Sequence, residues 1–370
     1  MIRYSYLPEQ FSDHDAIWTK IREVVGRGDF TLGRELQAFE EEFADRIGVE
    51  HAIGVNSGTD ALFLSLKALG IRGEVITPPY SFFATTATIV NAGARPVFAD
   101  VGNDFNIDPA AIEAAINPNT EAIMPVHWAG RPCNMAAINA IASRHGLVVI
   151  EDAAHAFGAK WAGKLCGSWG KIGCFSMHPL KTLNVWGDGG VITTDDPLMN
   201  DKLRRLRNHG LLDRNTCLEW GYNSRLDTVQ AVVAHHVLGR IDDIIRRRRQ
   251  IAALLDSQLS GCEDIIAVPM DRRAYSTYYL YTFCATERDR LLAGLIGRGV
   301  EAKAHYPVPI HLQPAAVPLG YRAGQFPVAE RLAETTISLP AHEFITDAQI
   351  NEMAAMVRGF YRSAKARDVA

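Results

Sequence analysis

The amino-acid sequence predicts an α/β protein with a mainly parallel central sheet flanked by helices and a smaller C-terminal α+β domain. From residue 51 to about residue 195, short β-rich runs alternate with helical stretches, which is typical of a parallel sheet covered on both faces. After about residue 240 the rhythm changes to a long charged helix, a strand-like run and a proline-rich passage. We therefore assign residues 1–240 to a large domain with an N-terminal segment, and residues 241–370 to a small domain.

The alternating elements follow one another in a regular order. The run "AIGVN" leads into the apolar helical stretch "GTDALFLSLKALG", which Gly70 ends. Next come "EVITPPYS" before "FFATTATIVNAG", "PVFADV" before "DPAAIEAAI", "EAIMPVHWAG" before "MAAINAIASRHG", and then "LVVIEDAAHAFGA", "IGCFSMHPLK" and "GGVITTDD". Ligands of such sheets bind beyond the carboxyl ends of the strands, so the loops after the strands are expected to carry the site.

Composition restricts the classes of function. The chain has 370 residues and a net charge of −4, which provides no overall attraction for nucleic acid or an anionic membrane. No apolar stretch approaches the roughly 20 residues that span a bilayer, and the N-terminus lacks the apolar core of a secretory signal. The six cysteines are scattered, without the spacing of a metal site. We expect a cytoplasmic protein that acts on small molecules and binds no metal, nucleic acid or membrane.

Two residues at predicted strand ends indicate chemistry. A lysine in a desolvated pocket, as expected for Lys181, loses its proton more easily and can form a Schiff base with an aldehyde. Asp152 ends the apolar run "LVVIED". Taken singly, Lys181 suits a solvated surface charge and Asp152 a turn or helix cap. Together they match the needs of pyridoxal 5'-phosphate (PLP), whose aldehyde binds a lysine and whose pyridine nitrogen is kept protonated by a carboxylate.

The same cofactor needs a phosphate site and contacts to its ring. The backbone N–H groups of Gly58 and Thr59 begin a predicted helix, where the helix dipole favours an anion, and Ser176 can add a hydroxyl. Phe82 can stack on the flat pyridine face, and His155 can reach the ring hydroxyl. Helix capping, an apolar core and a structural histidine are the alternative interpretations of these residues taken singly.

A run of four arginines, Arg246 to Arg249, lies in the long charged helix. Because Asp242 and Asp243 precede it, we interpret the run as a solvated face or subunit edge rather than a nucleic-acid patch.

Together these residues make the sequence resemble the DegT/DnrJ/EryC1/StrS family of PLP-dependent sugar aminotransferases, which has the aspartate-aminotransferase fold (fold type I). The resemblance covers nearly the whole chain and includes "FEEEFADRIGVEHAIGVNSGTDAL", "EDAAHAFGA", "FSMHPLKTLNVWGDGGVITTDD", "GYNSRLDTVQAVV" and "HYPVPIHLQPA". It implies transfer of an amino group from L-glutamate to a keto-sugar, expected to be nucleotide-linked. A dTDP-linked or similar 3-keto-6-deoxyhexose is favoured over a 4-keto sugar.

The resemblance also implies roles for individual residues. Around the cofactor these are Lys181 as the Schiff-base lysine, Asp152 at the pyridine nitrogen, Gly58, Thr59 and Ser176 at the phosphate, Phe82 on the ring face and His155 at the ring oxygen. Asn223 in "GYNSR" matches an asparagine that reaches the phosphate of the neighbouring subunit's cofactor, which implies a homodimer with a shared active site. The substrate-side candidates are Arg225, Tyr306 and His311.

The sequence departs from the family pattern around the lysine. It reads "SMHPLKTLNVWGDGG" where members that aminate the 3-position more usually have "FYPxKNLGALGDGG", so His178, Asn184 and Trp186 differ. The alternatives are a keto-cyclitol (inosose) aminotransferase, a PLP-dependent sugar dehydratase and a PLP-binding regulator without turnover. The dehydratases of the family carry histidine where Lys181 stands.

Overall fold

The computed structural model describes residues 1–368 and confirms the predicted α/β class. Its strands are β1 (His51–Val55), β2 (Glu74–Thr77), β3 (Arg95–Phe98), β4 (Thr120–Ile123), β5 (Val148–Asp152), β6 (Lys160–Trp161), β7 (Lys164–Leu165), β8 (Ile172–Ser176), β9 (Gly190–Thr194), β10 (Ile265–Ala267), β11 (Ala274–Tyr275), β12 (Tyr281–Ala285) and β13 (Thr336–Leu339).

The helices surround these strands. They are α1 (Leu7–Gln10), α2 (Asp15–Arg27), α3 (Arg34–Ile47), α4 (Gly58–Leu69), α5 (Phe83–Ala92), α6 (Pro109–Ala115), α7 (Met135–His145), α8 (Pro197–Leu206), α9 (Thr228–Leu238), α10 (Ile241–Leu259), α11 (Arg288–Ile296), α12 (Pro327–Thr335) and α13 (Asp347–Asp368). Short 3₁₀ turns cover Trp128–Gly130, Ile310–Leu312 and Pro314–Leu319.

Within the described residues, seven strands form the central sheet in the order β1-β9-β8-β5-β4-β2-β3. Strand β9 is antiparallel to both of its neighbours, whereas all other pairs are parallel. Strands β1 and β8 therefore run in the same direction, together with β5, β4 and β2. The carboxyl ends of these strands lie at one edge of the sheet, which brings the loops after them together.

Alternation of side chains along the strands gives the sheet its two apolar faces. In β8, Cys174 packs in the core around α4, whereas Phe175 packs in the core around α3 and α9. In β9, Ile192 packs in the core around α4, and Val191 packs in the core around α3 and α9. The buried strands therefore read as continuous apolar runs, as expected for a sheet covered by helices on both faces.

The same alternation separates two neighbouring carboxylates at the end of β5. Glu151 accepts three hydrogen bonds of 2.7–2.8 Å from backbone N–H groups in residues 167–170, and its Oε2 lies 2.9 Å from Nε2 of His127. Asp152 points to the opposite side. The buried Glu151 thus anchors a loop, while Asp152 is left for the site described below.

The C-terminal part builds a separate antiparallel sheet in the order β10-β12-β13. Helix α10 connects the two parts, because Ile241 and Ile245 pack with the core around α3 and Ile251 and Leu255 with the core around β12 and α13. At the other end of the chain, Ile2 forms a bridge with residue 300 of this second part. The division at residue 240 stays a prediction.

The described residues contain neither a membrane-spanning helix nor a cluster of metal ligands. None of the helices in residues 1–368 is sufficiently long and apolar to cross a membrane. Over the same residues, no group of three or more His, Cys, Asp or Glu side chains is arranged to hold a metal ion.

Candidate active site

A cavity of about 360 Å³ lies at the carboxyl edge of the central sheet. Loops that follow β1, β2, β4, β5 and β8 form most of its wall, and Tyr279 and His305 from the C-terminal part complete it. The predicted site residues that line it are Gly58, Thr59, Phe82, Asp152, His155, Ser176, Lys181 and Tyr306. The strand-end pattern therefore identified residues that meet in one place.

Asp152 is a buried carboxylate whose hydrogen bonds come from neutral donors. It is 4% exposed; the hydroxyl of Thr85 donates to its Oδ2 at 2.8 Å and the backbone N–H of Ala154 to its Oδ1 at 3.2 Å. Burial raises the pKa of Asp152, and these two hydrogen bonds and the charge of Lys181 oppose that rise. The ionised form is costly in this position and would gain from a cation in the cavity.

Lys181 lies in a short loop that is fixed by its own backbone. Its N–H donates to the carbonyl of His178 at 2.8 Å, and the amide of Asn184 donates to the carbonyls of Pro179 and Lys181 at 2.7 and 3.1 Å. The side chain is half-buried, and its Nζ lies 4.7 Å from the centroid of the Tyr279 ring. The amine is thus held at the cavity wall against an aromatic face.

His155 presents a hydrogen-bond donor to the cavity. Its ring stacks on Tyr279, with centroids 4.4 Å apart, and its Nδ1 accepts a hydrogen bond of 3.3 Å from the backbone N–H of Ala129. Burial, followed by the charge of Lys181, lowers the pKa of His155 well below its usual value, so the ring is neutral. Because Nδ1 is the acceptor, the proton lies on Nε2, which can donate to an oxygen atom.

The first turn of α4 and the end of β8 form one end of the cavity wall, where they lie against each other. The Ser57 hydroxyl caps the helix by accepting from the N–H of Asp60 at 3.0 Å, and helix geometry leaves the N–H groups of Gly58 and Thr59 without an intrahelical acceptor. A Cβ on Gly58 would lie 2.6 Å from the Cβ of Ser176. This close approach places backbone donors and a hydroxyl side by side, which suits an anion.

We expect Gly58→Ala to weaken this end of the cavity, because the new methyl group would also lie 3.0 Å from the Cα of Ser176 and force the two segments apart. The free energy of unfolding should fall by about 1–3 kcal/mol in urea denaturation. Phosphate-containing ligands should bind more weakly. Gly26→Ala is the matched control, because that glycine is exposed in α2 and its Cβ would meet nothing within 4 Å. Equal stability of the two variants would contradict this description.

Phe82 and Tyr306 are two aromatic side chains of the cavity wall that lie near each other. Phe82 is 52% exposed, and its ring centroid is 6.2 Å from that of Tyr306. The N–H of Tyr306 donates to the hydroxyl of Tyr80 at 2.9 Å, and burial raises the pKa of Tyr306 well above its usual value. The phenol of Tyr306 therefore stays protonated at neutral pH.

The other predicted residues do not line the cavity within one chain. Asn223 is exposed, and Arg225 donates to the side chain of Asn208 at 2.7 Å. His311 is 2% exposed, and its Nε2 lies 3.0 Å from a carboxylate oxygen of Glu330. The structure thus places His311 and Arg225 in contacts of their own, outside the lining of the cavity.

The residues that depart from the family pattern divide into two groups. Asn184 is fully buried in the loop contacts described above, and Trp186 packs against the rings of Phe11 and Trp18. His178, in contrast, lines the cavity. Of the three differences, His178 is therefore the one placed to contact a substrate.

Sequence reasoning missed several residues of the wall. They are Thr85, Asp188, Tyr279 and His305, together with the role of His178. Asp188 stands in the "GDGG" motif and could have been found there. His305 begins the stretch "HYPVPIHLQPA" and could have been found there too. Thr85 and Tyr279 carry no local signal, because a threonine within a helix and a tyrosine beside an apolar strand are ordinary features of a core.

Known proteins are similar to this chain over nearly its whole length. A sequence model of the DegT/DnrJ/EryC1/StrS aminotransferase family matches residues 12–358. The crystal structure of S. venezuelae DesV in complex with a ketimine intermediate has a TM-score of 0.95 and is 37% identical, covering 97% of this chain and 98% of that one.

Three curated relatives are each 40% identical to this chain. One is a pleiotropic regulatory protein of Geobacillus stearothermophilus, covering 96% of this chain and 97% of the relative. Another is the dTDP-3-amino-3,4,6-trideoxy-alpha-D-glucose transaminase of Streptomyces venezuelae, with 86% and 85% covered. The third is the UDP-N-acetyl-3-dehydro-alpha-D-glucosamine 3-aminotransferase of Acidithiobacillus ferrooxidans, with 93% of each covered.

Proposed function

Because the chain belongs to the DegT/DnrJ/EryC1/StrS aminotransferase family, we propose that it is a PLP-dependent transaminase that moves the amino group of L-glutamate to C3 of a nucleotide-linked keto-sugar. One observation carries the proposal: a single cavity is lined by Lys181, by Asp152 and by the closely packed pair Gly58 and Ser176. Sugar amination itself follows from the family and its relatives. Beyond this, we propose which residues contact the cofactor, that L-glutamate is the amino donor, and that C3 of the sugar is the carbon that receives the amino group.

The residues present fit pyridoxal 5'-phosphate. The close approach of Gly58 to Ser176 suits the phosphate, and the buried carboxylate of Asp152 suits a protonated pyridine nitrogen. Lys181 lines the same cavity and supplies the amine that the aldehyde requires. When bound, the cofactor supplies an electron sink that stabilises negative charge on the carbon next to the amino group.

Each of these side chains then has a defined task. Lys181 would hold the cofactor and would move a proton to and from the substrate carbon as general base and acid. Asp152 would keep the ring nitrogen protonated. His155 would donate from Nε2 to the ring oxygen, because its Nδ1 is engaged by the N–H of Ala129. The ring of Tyr279 restrains both Lys181 and His155.

The relatives support amination at C3 more strongly than any particular nucleotide. The Streptomyces and Acidithiobacillus enzymes carry dTDP and UDP names, respectively, but both names place the amino group at the 3-position. We therefore propose a 3-keto-sugar and leave the nucleotide to experiment. His178 and Asp188 lie on the cavity wall and are the side chains we assign to the choice among sugars.

A homodimer completes the proposal. Asn223 ends an exposed hairpin whose apolar side chains are unusually accessible: Trp220 is 92% exposed, Leu212 60% and Leu218 56%. Such a patch favours contact with another protein surface. A second copy of the chain would cover it and bring Asn223 to the partner's cavity. A cytoplasmic location stays a prediction.

The test is a half-reaction followed by a substrate screen. We expect purified protein with PLP to absorb visible light and to change to the pyridoxamine form when L-glutamate is added. Nucleotide-linked 3-keto-sugars should then restore the original spectrum, with product mass and position showing amination at C3. A 4-keto-sugar serves as the matched control and should react more slowly.

The remaining outcomes separate the alternatives. Binding of PLP without any response to glutamate or other amino donors would indicate a regulator instead of an enzyme. Turnover with an inosose but with no nucleotide sugar would indicate a cyclitol aminotransferase. Loss of a hydroxyl from the sugar without gain of nitrogen would indicate a dehydratase, which Lys181 disfavours because those family members carry histidine there.

A further inference from the structure

The hydroxyl group of Thr85 makes the shortest hydrogen bond to the buried carboxylate of Asp152. We propose that Thr85 is a positioning residue that keeps Asp152 ionised and aimed into the cavity. The inference rests on the proposed function only for the identity of the cation that Asp152 would bind. The effect of Thr85 on the ionisation of Asp152 is present in the cofactor-free protein and can be measured there.

The geometry gives the Thr85 proton one destination. Thr85 is 1% exposed near the start of α5, lines the cavity, and has its Oγ1 2.8 Å from Oδ2 of Asp152. The hydroxyl of Ser81 lies 3.2 Å from the same Oγ1 and 3.2 Å from the carbonyl oxygen of Phe82, so its single proton has two acceptors within reach. A hydroxyl that accepts one hydrogen bond directs its single proton to another acceptor. The carboxylate of Asp152 is therefore the acceptor to which the Thr85 hydroxyl donates, whichever way the Ser81 hydroxyl turns.

The electrostatic surroundings explain why a single hydrogen bond can affect the pKa of Asp152. Burial raises the pKa of Asp152, and the Thr85 hydrogen bond is the strongest of the influences that lower it, ahead of the Ala154 N–H and the charge of Lys181. The other titratable groups that interact with Asp152 are His127, Cys133, Cys174 and Tyr306. Both cysteines have raised pKa values and stay neutral.

A purely structural role for Thr85 predicts a loss of stability that does not depend on pH. The residue is buried in a helix, so its methyl group also contributes to packing. Loss of packing would lower stability by the same amount at every pH. Loss of the hydrogen bond to a carboxylate would lower it more when Asp152 is charged, because hydrogen bonds to charged groups are stronger than those to neutral groups.

The sign of the pH effect follows from linkage. The folded-state pKa of Asp152 is raised, so its ionisation costs stability as pH rises through that value. Thr85→Val retains the shape of the side chain but removes the donor, so the folded-state pKa rises further and the stability deficit grows with pH. Thr85→Ser retains the donor and is the matched control.

The first measurement is reversible urea unfolding of the cofactor-free protein between pH 4 and pH 8. We expect the ratio of unfolding constants, Thr85→Val over wild type, to be about ten-fold larger at the high-pH end, equivalent to a rise of about one pH unit in the pKa of Asp152. For Thr85→Ser the ratio should be constant within about two-fold. A constant ratio for Thr85→Val would overturn the proposal. If that variant does not fold, Thr85→Ala is measured in the same way.

The second measurement is titration of the cofactor-free protein with PLP. As pH falls, Thr85→Val should lose PLP binding at a pH about one unit higher than wild type does, because its Asp152 becomes protonated at a higher pH. An unchanged pH dependence would contradict the proposal while leaving the proposed function intact. If wild type itself does not bind PLP, the proposed function fails, and the unfolding measurement still decides the role of Thr85.

Discussion

Lys181→Ala is expected to abolish transamination, with a loss of at least about 10⁴-fold in kcat, because in the proposed function the same nitrogen holds the cofactor and moves the proton at the substrate carbon. Lys181 is half-buried at the cavity wall, and its loop is fixed by hydrogen bonds of its backbone, so removal of the side chain should leave the fold intact. Steady-state kinetics with L-glutamate and the amino acceptor, together with circular dichroism, measure both points.

Lys181→Arg separates charge from nucleophilicity, because it keeps a cation in the cavity but provides no amine. It should be as inactive as the alanine variant. Lys164→Ala is the matched surface control, since that side chain is exposed and outside the cavity, and it should retain full activity. Appreciable turnover by Lys181→Ala would refute the assigned role.

Asp152→Asn should lose about 10³-fold in kcat, because a neutral amide no longer favours a proton on the pyridine nitrogen of the bound cofactor. Its stability should behave differently from that of most core variants. The raised folded-state pKa means that ionised Asp152 destabilises the cofactor-free protein at neutral pH, and asparagine removes that cost. We expect a free energy of unfolding within about 1 kcal/mol of wild type, or higher, at pH 7.

The matched control is Asp108→Asn. Asp108 caps α6 by accepting from the N–H of Ala110 at 3.0 Å, and asparagine caps helices equally well. This control should retain both activity and stability. A large loss of stability in Asp152→Asn would show that the carboxylate is structural, and full activity would show that it does not support the cofactor.

The core of the site was predictable because strand ends meet in a parallel sheet. Lys181 and Asp152 follow strands that run in the same direction, and β5 and β8 are neighbours with Asp152 opposite Cys174. The sequence shows that the strands exist. Their order, with β9 inserted antiparallel between β1 and β8, depends on packing across the whole sheet and has no local signature.

The arginine run shows where a local pattern is insufficient. Arg246 is exposed and pairs with Asp243 at 2.8 Å, as a solvated face requires. Arg248, however, is 3% exposed and donates to the hydroxyl of Tyr6 at 2.8 Å and to the carbonyl of Tyr279 at 3.2 Å. The interpretation as a solvated face was wrong for Arg248, because its partners lie some 240 and 30 residues away in the chain.

The cavity-wall residues that the sequence did not predict were missed for the same reason, because they depend on parts of the chain that are distant in sequence. Tyr279 and His305 reach the cavity only because the C-terminal part packs against the central sheet, and Thr85 reaches it through the direction in which α5 leaves β2. Thr85 and Tyr279 do not differ in residue type from ordinary core. The structure shows their importance, because Tyr279 contacts Lys181 and His155, and Thr85 donates a hydrogen bond to Asp152.

The central claim is that one lysine, Lys181, carries the cofactor. The most direct measurement is treatment of the PLP-loaded protein with borohydride, digestion, and mass spectrometry of the lysine-containing peptides. The account predicts that the reduced cofactor is found on Lys181 and that L-glutamate added beforehand removes the label. A label on a different lysine, or none on a protein that retains visible absorption, would contradict it.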